Sequence, residues 1–414
     1  MKDFFVDLHV HIGRNGQGRP VKITASERLT FAAVIRECLV RKGLDMVGIV
    51  DCACTGVLQD MRVLIDQGEL MELPEGGLRH RDRVTVVAGA EVEAVEESGG
   101  VSHHLCFFPY LRNLAEFSKV MSRYITNMEL SSQRCGLSAR ELQAVTLSTG
   151  GILLPAHAFT PHKSAYGNAC QRLGDLFGPS LQEVPALELG LSADTPLADH
   201  LAELEGLTYL SNSDAHSPER IGREYNVIRM HAANFRELAL ALHRTAGRGV
   251  VANYGLDPRL GRYHRSYCLA CQAPVQVPPP ALACPTCGAT DKDFVRGVLD
   301  RVLSIADRDA PHSPPHRPPY HYQVPLAFVP GLTRAGLDRL IQRFGSEMAV
   351  LHQARPEEMQ AMVGRPVTRS IMLAREGRLP LQTGGGGHYG RVANRPPTGE
   401  QLPLFPAEPA QERS

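Results

Sequence analysis

Five residues near the start of the chain, Asp7-Leu8-His9-Val10-His11, constrain its fold more than any other stretch. Side chains alternate faces along a β-strand, so His9 and His11 point the same way with one residue between them. Two imidazoles so placed either share a metal ion or stand as polar residues on a solvated strand face. The rest of the chain decides between these readings, because a metal site needs further donors and a fold that delivers them.

Such donors recur at the ends of apolar runs. The run 84–90 delivers Glu91 and then Glu93, the run 152–156 ends at His157, and the run 207–211 leads to Asp214 and His216. Residues 46–50 end at Asp51, and 101–108 carry His103 and His104. Short apolar runs of this kind read as buried strands. Taken singly, each polar residue is more often a cap, a turn residue or a satisfied core group. Taken together, they place His, Asp and Glu at successive strand ends. Helical stretches at 25–42 and 196–205 alternate with the strands, which implies a barrel-like or layered α/β sheet whose strand C-termini line the active site. Nitrogen and oxygen donors in this mixture suit zinc, manganese or magnesium in a multinuclear site.

DLHVH, the GAEVE around Glu91, the PAH at His157 and the SDAH ending at His216 resemble the ordered motifs of the polymerase and histidinol phosphatase (PHP) superfamily of metal-dependent phosphoesterases. That resemblance implies a distorted β/α barrel and metal ligation by His9, His11, Glu91, His157, Asp214 and His216. It also implies a mid-chain histidine directly before an apolar run, which His104 matches better than His103. Neighbours on a strand face opposite ways, so one of the two is expected at the metals. Where many members read Thr-Asp-His, this chain reads Val50-Asp51-Cys52. Asp51 stays a candidate ligand, while Cys52 replaces an imidazole. Two or three divalent ions (Zn2+, Mn2+ or Mg2+) lower the pKa of water from about 15.7 toward about 7 and neutralise phosphoryl charge, so phosphate-ester hydrolysis is the expected reaction class. Asp214, His157 and His216 are the candidate catalytic residues. Either histidine alternatively protonates the leaving oxygen instead of binding metal.

Cys268, Cys271, Cys284 and Cys287 form two CxxC knuckles around a Pro-rich stretch, a spacing that closes a tetrahedral structural zinc site. Disulfides are the alternative. The other six cysteines are scattered without a framework and no leader-like stretch precedes them, so a reducing, cytoplasmic setting is expected. Beyond the ribbon, Val329-Pro330-Gly331-Leu332-Thr333 leads into 334–344, where Leu337, Leu340, Ile341 and Phe344 fall at helical spacing behind a Thr333 cap. This looks like the turn of helix-hairpin-helix DNA-binding elements, whose amides meet backbone phosphate. The whole chain balances 44 basic against 44 acidic residues. Residues 259–400 nevertheless hold 18 basic and 11 acidic, a net of +7, whereas 1–258 hold 25 and 31, a net of −6. A basic half suits phosphate tracking. Gly384 to Gly387 add a loop whose backbone could approach phosphates, or an ordinary linker.

The order of these parts, with Leu260-Gly261-Arg262-Tyr263-His264 entering the ribbon and Glu188-Leu189-Gly190-Leu191-Ser192-Ala193-Asp194 before it, resembles the endonuclease Q family over roughly residues 3–392. The resemblance implies DNA repair: hydrolysis of the phosphodiester 5′ to a deaminated base (uracil, hypoxanthine or xanthine) or an abasic site in double-stranded DNA. A damaged base is stacked inside the duplex, and extruding it costs a few kcal/mol. The chain has no Trp, so Tyr and Phe must supply any aromatic stacking. Ser164, Tyr166 and Asn168, on a polar loop after His157, are candidate lesion contacts or plain surface residues.

Near the C-terminus Gln401-Leu402-Pro403-Leu404-Phe405 resembles the bacterial sliding-clamp peptide, with Gln401, Leu402, Leu404 and Phe405 as the anchor. No apolar run approaches the roughly 18 residues of a membrane span, so no membrane partner and a nucleoid-associated location are expected. The parts divide into a catalytic domain over 1–258, the ribbon over 259–292, a small helical domain over 293–391 and a free tail over 392–414. Residues 111–145 read as a helical insertion, and the Pro- and His-rich 310–319 as a linker. Two other functions compete: a small-molecule phosphoesterase of the histidinol-phosphatase kind, and a non-catalytic nucleic-acid-binding adaptor whose support is Cys52.

Overall fold

The computed structural model describes residues 1–384 and 388–393. Its main body is a set of strands curled around one apolar interior: β1 (Lys2–Val10), β2 (Met46–Ile49), β3 (Val84–Val95), β4 (Val101–Phe108), β5 (Ile152–Pro155), β6 (Ala186–Glu188), β7 (Thr208–Leu210), β8 (Tyr225–Met230), β9 (Gly249–Gly255) and β10 (Tyr320–Tyr322). Hydrogen-bonded neighbours run β10-β9-β8-β1-β2-β3, with β4 between β3 and β5, and β6 pairs only with β7. The ring is closed loosely. β5 hands over to β6 where the Ala158 N–H donates to Glu188 O (2.8 Å), and β7 meets β9 where the Asn253 side-chain amide donates to Tyr209 O (3.0 Å). Val6, Leu8, Val87, Leu105, Phe107, Leu154, Ala186, Leu210 and Ile228, one or two from nearly every strand, fill the interior.

Register decides what reaches the mouth of this barrel. In β3, Val87, Glu91 and Glu93 are odd-numbered and share the inward face, while Val86, Ala88, Ala90 and Val92 pack outward. β1 needs a correction of parity, because its pairing to β2 shifts between Asp7 and Val10. This bulge lets His9 and His11 take the inward face that Val6 and Leu8 hold before it.

Several expected elements are shorter than their patterns suggested. The stretch 25–42 becomes a helix only at Phe31–Glu37, where the Thr30 hydroxyl accepts from Ala33 N–H (3.2 Å), followed by a wider turn at Cys38–Lys42. The stretch 196–205 breaks into Thr195–Ala198 and Ala202–Leu204 around Asp199. The insertion 111–145 is two helices, Leu111–Met121 and Ala139–Ser148, joined by an irregular segment. The linker 310–319 is pinned rather than loose: Arg317 lies 3.2 Å from Asp199 with both side chains buried, and its guanidinium stands 3.4 Å over the Tyr209 ring. It then feeds β10 into the barrel sheet, a strand that sequence pattern did not suggest.

The cysteine-bearing unit is a small sheet of Tyr267–Cys268, Ala273–Pro274 and Phe294–Val295. The C-terminal helices Arg334–Phe344, Glu347–His352 and Pro356–Arg375 follow, the last broken at Gly364, whose φ of 79° stops the helix ahead of Pro366. They dock on the body through Lys42, whose buried ammonium lies 3.0 Å from Glu347, and through a Tyr225–His352 hydrogen bond of 2.7 Å.

Candidate active site

The donors named from sequence converge at the barrel mouth. His9 Nε2 and His11 Nε2 stand 3.2 Å apart, and Asp214 Oδ1 lies 3.6 and 3.5 Å from them. Glu91 bridges to a second group: its carboxylate is 3.6 and 3.7 Å from the two Nε2 atoms, 2.8 Å from His103 Nδ1 and 3.3 Å from His157 Nε2. Two sets of three donors result, His9-His11-Asp214 and Glu91-His103-His157, each within 4.8 Å. Ligands about 2.0–2.2 Å from a tetrahedral ion stand about 3.3–3.6 Å from one another, close to the spacings of the first set.

Hydrogen bonding shows why these groups fit a cation. His9 Nδ1 lies 2.9 Å from Glu188, His11 Nδ1 3.0 Å from Asp51, and His157 Nδ1 3.1 Å from the Thr160 hydroxyl, which itself donates to backbone carbonyls. Each Nδ1–H therefore has an acceptor, and each Nε2 of a neutral ring turns a lone pair toward carboxylate oxygens. Lone pairs and anions facing one another at such distances need positive charge between them. The electrostatics agree. Burial alone would push His9 down, yet Glu188, Asp214 and Glu91 outweigh it and raise it to about 10. Burial would raise Glu91, yet His103 and Lys22 hold it well below the usual carboxylate range.

Backbone strain marks the same place. His157 and Asp214 hold φ of 29° and 44°, conformations costing a non-glycine residue about 1–3 kcal/mol each. Gly190 makes room for the first, since a Cβ there would stand 2.9 Å from His157 Cβ. A cleft lined by His157, Thr160, Ser192, Asp214, Arg262 and Tyr263 opens beside the cluster. Larger hollows, of about 510 and 570 Å³, lie off the donors, lined by Arg220, Arg223, Phe328 and Tyr389 in one case and Arg265, Gln382 and Arg391 in the other.

Several expectations need correction. His104 does not reach the cluster; β4 pairs Glu93 with His103, so the odd-numbered histidine shares the inward face with Leu105 and Phe107. His104 faces outward, bonded to Ser102 Oγ (2.8 Å), against Phe177 and pushed down to about 3 by burial. Asp51 sits behind His11 rather than among the facing donors, and also accepts from Ile12 N–H (2.5 Å) and Ser131. Tyr166 is fully buried, stacked on Phe159 and donating to Glu203 (2.7 Å), while buried Ser164 caps the turn after it. Neither is open to a lesion. Asn168 is exposed but spends its side-chain oxygen on Val101 N–H (2.8 Å). Cys52 belongs to the apolar core and to neither donor set.

His216 stays at the rim, its ring 4.5 Å from that of His11 and its Nδ1–H donating to Asp214 O (3.1 Å). Sequence reasoning missed Lys22, whose ammonium lies 2.8 Å from Glu91, along with Ser131 and Ser132. A lone lysine and two serines in loops carry no sequence signal. Glu188 did carry one, being a carboxylate at the end of an apolar strand like the others.

The four cysteines also meet. Their sulfurs lie within 4.8 Å of one another, with 3.6 Å between Cys268 and Cys287 and 3.8 Å between Cys271 and Cys284. Bonds of about 2.3 Å to a tetrahedral ion place sulfurs about 3.8 Å apart. The N–H groups of Cys287 and Thr286 pull the Cys284 thiol down to about 6, whereas the neighbouring sulfurs push Cys271 up to about 12. Thr333 caps Arg334–Phe344 as expected, accepting from Gly336 N–H (3.1 Å), with Gly331 at φ 79° in the turn. Gly385 to Gly387 and the peptide Gln401 to Phe405 lie outside the described residues. Among those described, no helix is long and apolar enough to cross a membrane.

No protein-family model matches the chain. It is 42% identical to the uncharacterized protein YqxK of Bacillus subtilis over 394 residues, covering 95% of this chain and all of that one. It is 35% identical over 260 residues to the uncharacterized protein MJ0043 of Methanocaldococcus jannaschii, covering 58% of this chain and 32% of that one. Among solved structures it matches the lesion-specific endonuclease PfuEndoQ of Pyrococcus furiosus at 31% identity and a TM-score of 0.80, over 96% of each chain. An endonuclease Q complex with a 27-mer duplex carrying an abasic lesion at its active site matches equally, at 31% identity and 0.80, over 96% of this chain and 97% of that one. With nearly the full length aligned, the same mixed α/β body and a four-cysteine cluster in place, the chain belongs to the endonuclease Q family.

Proposed function

We propose that this protein is a metal-dependent DNA repair endonuclease that cuts double-stranded DNA 5′ to a deaminated base (uracil, hypoxanthine or xanthine) or an abasic site, leaving a 3′-hydroxyl and a 5′-phosphate. The observation that carries the reading is Glu91, one carboxylate joining two sets of facing imidazoles and acids, in a chain similar throughout to an enzyme solved on a lesion duplex.

His9, His11 and Asp214 would hold one divalent ion and Glu91, His103 and His157 a second, while His216, at the rim, would serve as a further ligand or as a base. Zinc, manganese and magnesium all suit these donors. Such ions, when bound, acidify water and neutralise phosphate charge. The protein's own residues prepare the rest. Glu188 and Asp51 fix the tautomers of His9 and His11, so that both present Nε2. With Nδ1 donating to Asp214 O, a neutral His216 likewise presents a lone pair, which favours ligand or base over proton donor. Lys22 adds a cation beside Glu91, a charge that suits an anionic phosphate.

The catalytic unit spans about 1–258, the ribbon, closed by a structural zinc on Cys268, Cys271, Cys284 and Cys287, 259–292, and the helical DNA-binding unit 293–391, whose 329–333 turn meets backbone phosphate. The tail 392–414 offers Gln401, Leu402, Leu404 and Phe405 to a sliding clamp. Deleting 401–405 abolishes co-elution with clamp; unchanged co-elution refutes that partner. Duplexes with one uracil, hypoxanthine or abasic site, assayed with and without chelator, test the main reading. Hydrolysis of free phosphate monoesters without nicking favours the phosphatase, and tight lesion binding without cleavage the adaptor.

A further inference from the structure

Drawing a nucleotide out of a duplex leaves a gap in the base stack, and proteins that deform DNA commonly push an apolar side chain between the bases to hold it. Such a side chain must stand in solvent in the free protein, be held firmly, and lie next to the cutting site. Ile23 meets all three conditions. At 77% exposed it is the most exposed large apolar side chain among the described residues. Single exposed apolar residues are ordinary on protein surfaces. The anchoring of this one is not.

Its turn is fastened to the metal-donor cluster at both ends. On one side, the Lys22 ammonium lies 2.8 Å from Glu91 and the Lys22 N–H donates to Ile12 O (3.0 Å), directly after His11. On the other, Ser26 N–H donates to His216 O (2.8 Å), and Ala25 N–H closes the turn on Lys22 O (3.0 Å). β-Branching leaves Ile23 few χ1 states, so little side-chain freedom is lost when it is inserted. The Ile23 turn hangs from Glu91 and His216, and these touch His157 (3.3 Å) and Asp214 (3.1 Å), which line the neighbouring cleft.

We infer that Ile23 is a positioning residue, a wedge that fills the stack beside the donors while the lesion nucleotide sits at the adjoining cleft. The inference rests on the endonuclease reading above. It is tested in the full-length protein with Ile23→Ala and Ile23→Leu, on a duplex carrying one uracil and on the same uracil strand alone, which has no stack to fill. Ile23→Ala should slow duplex nicking about ten- to a hundredfold while changing single-strand nicking less than about twofold, and Ile23→Leu should restore most of the loss. Stopped-flow fluorescence of a 2-aminopurine beside the lesion should rise with the wild type and not with Ile23→Ala, at unchanged metal content. Equal losses on both substrates, or none on the duplex, overturn the wedge and leave the endonuclease standing. A wild-type protein that nicks neither substrate overturns both.

Discussion

Replacing His103 and His104 by alanine, one at a time, makes adjacent residues report on opposite faces of one strand. His103 lies 2.8 Å from Glu91 and 3.4 Å from Glu93, inside the donor cluster. Removing even an outer partner of a metal ligand costs about 10–100-fold in metal affinity, so losing a donor itself should cost more than about 100-fold for the ion between Glu91 and His157. His104 is fully buried and, pushed down to about 3, neutral at pH 7, so its removal breaks no ion pair. It leaves a cavity against Phe177 and an unpartnered Ser102 hydroxyl, together about 2–4 kcal/mol of stability. Plasma-emission metal analysis, lesion nicking and urea unfolding are read on both variants. His103→Ala should lose metal and nicking at near-normal stability. His104→Ala should keep its full metal content and unfold at lower urea. If His104→Ala lost metal and His103→Ala kept it, the parity argument from β3 and β4 would be wrong.

Lys42→Met leaves Glu347 buried without its cation and should cost about 3–5 kcal/mol, whereas Lys42→Met with Glu347→Leu should recover most of that in a thermal-melt comparison. Glu224 is buried, accepts from Leu256 N–H (2.7 Å), and is pushed up to about 8 by burial. Between the unfolded value of 4.5 and 8 the native state holds a proton the unfolded chain has lost, so stability falls as pH rises, by at most about 1.4 kcal/mol per unit. Glu224→Gln should flatten the unfolding free energy between pH 5 and 8, and an unchanged slope would contradict the assignment. Gly190→Ala sets a Cβ 2.9 Å from that of His157 at φ 79°; it should displace that histidine and lower affinity for the ion it shares with Glu91, as metal titration would read directly.

The donors were legible because chemistry and spacing announce them. His9 and His11 two apart, Glu91, His157 and Asp214 closing apolar runs, and paired CxxC knuckles are local patterns, and the structure brings these residues together. His103 against His104 was not legible. That choice turns on the pairing of Glu93 with His103, a cross-strand register that no local pattern contains. Tyr166 misled for a related reason: an aromatic in a polar loop looks available until Phe159 and Glu203 are seen to enclose it.

By itself the sequence determined the donor inventory, the α/β alternation, the four-thiol unit and the Thr333-capped helix, all of which depend on side-chain chemistry and near neighbours along the chain. Tertiary structure alone decided which face each donor takes, that Lys22 joins the cluster, that Glu188 stands behind His9 and Asp51 behind His11, and that an isoleucine is held out beside the donors. These depend on strand register, one bulge and contacts between residues 40 to 179 positions apart, where small packing differences, rather than local preference, settle the outcome.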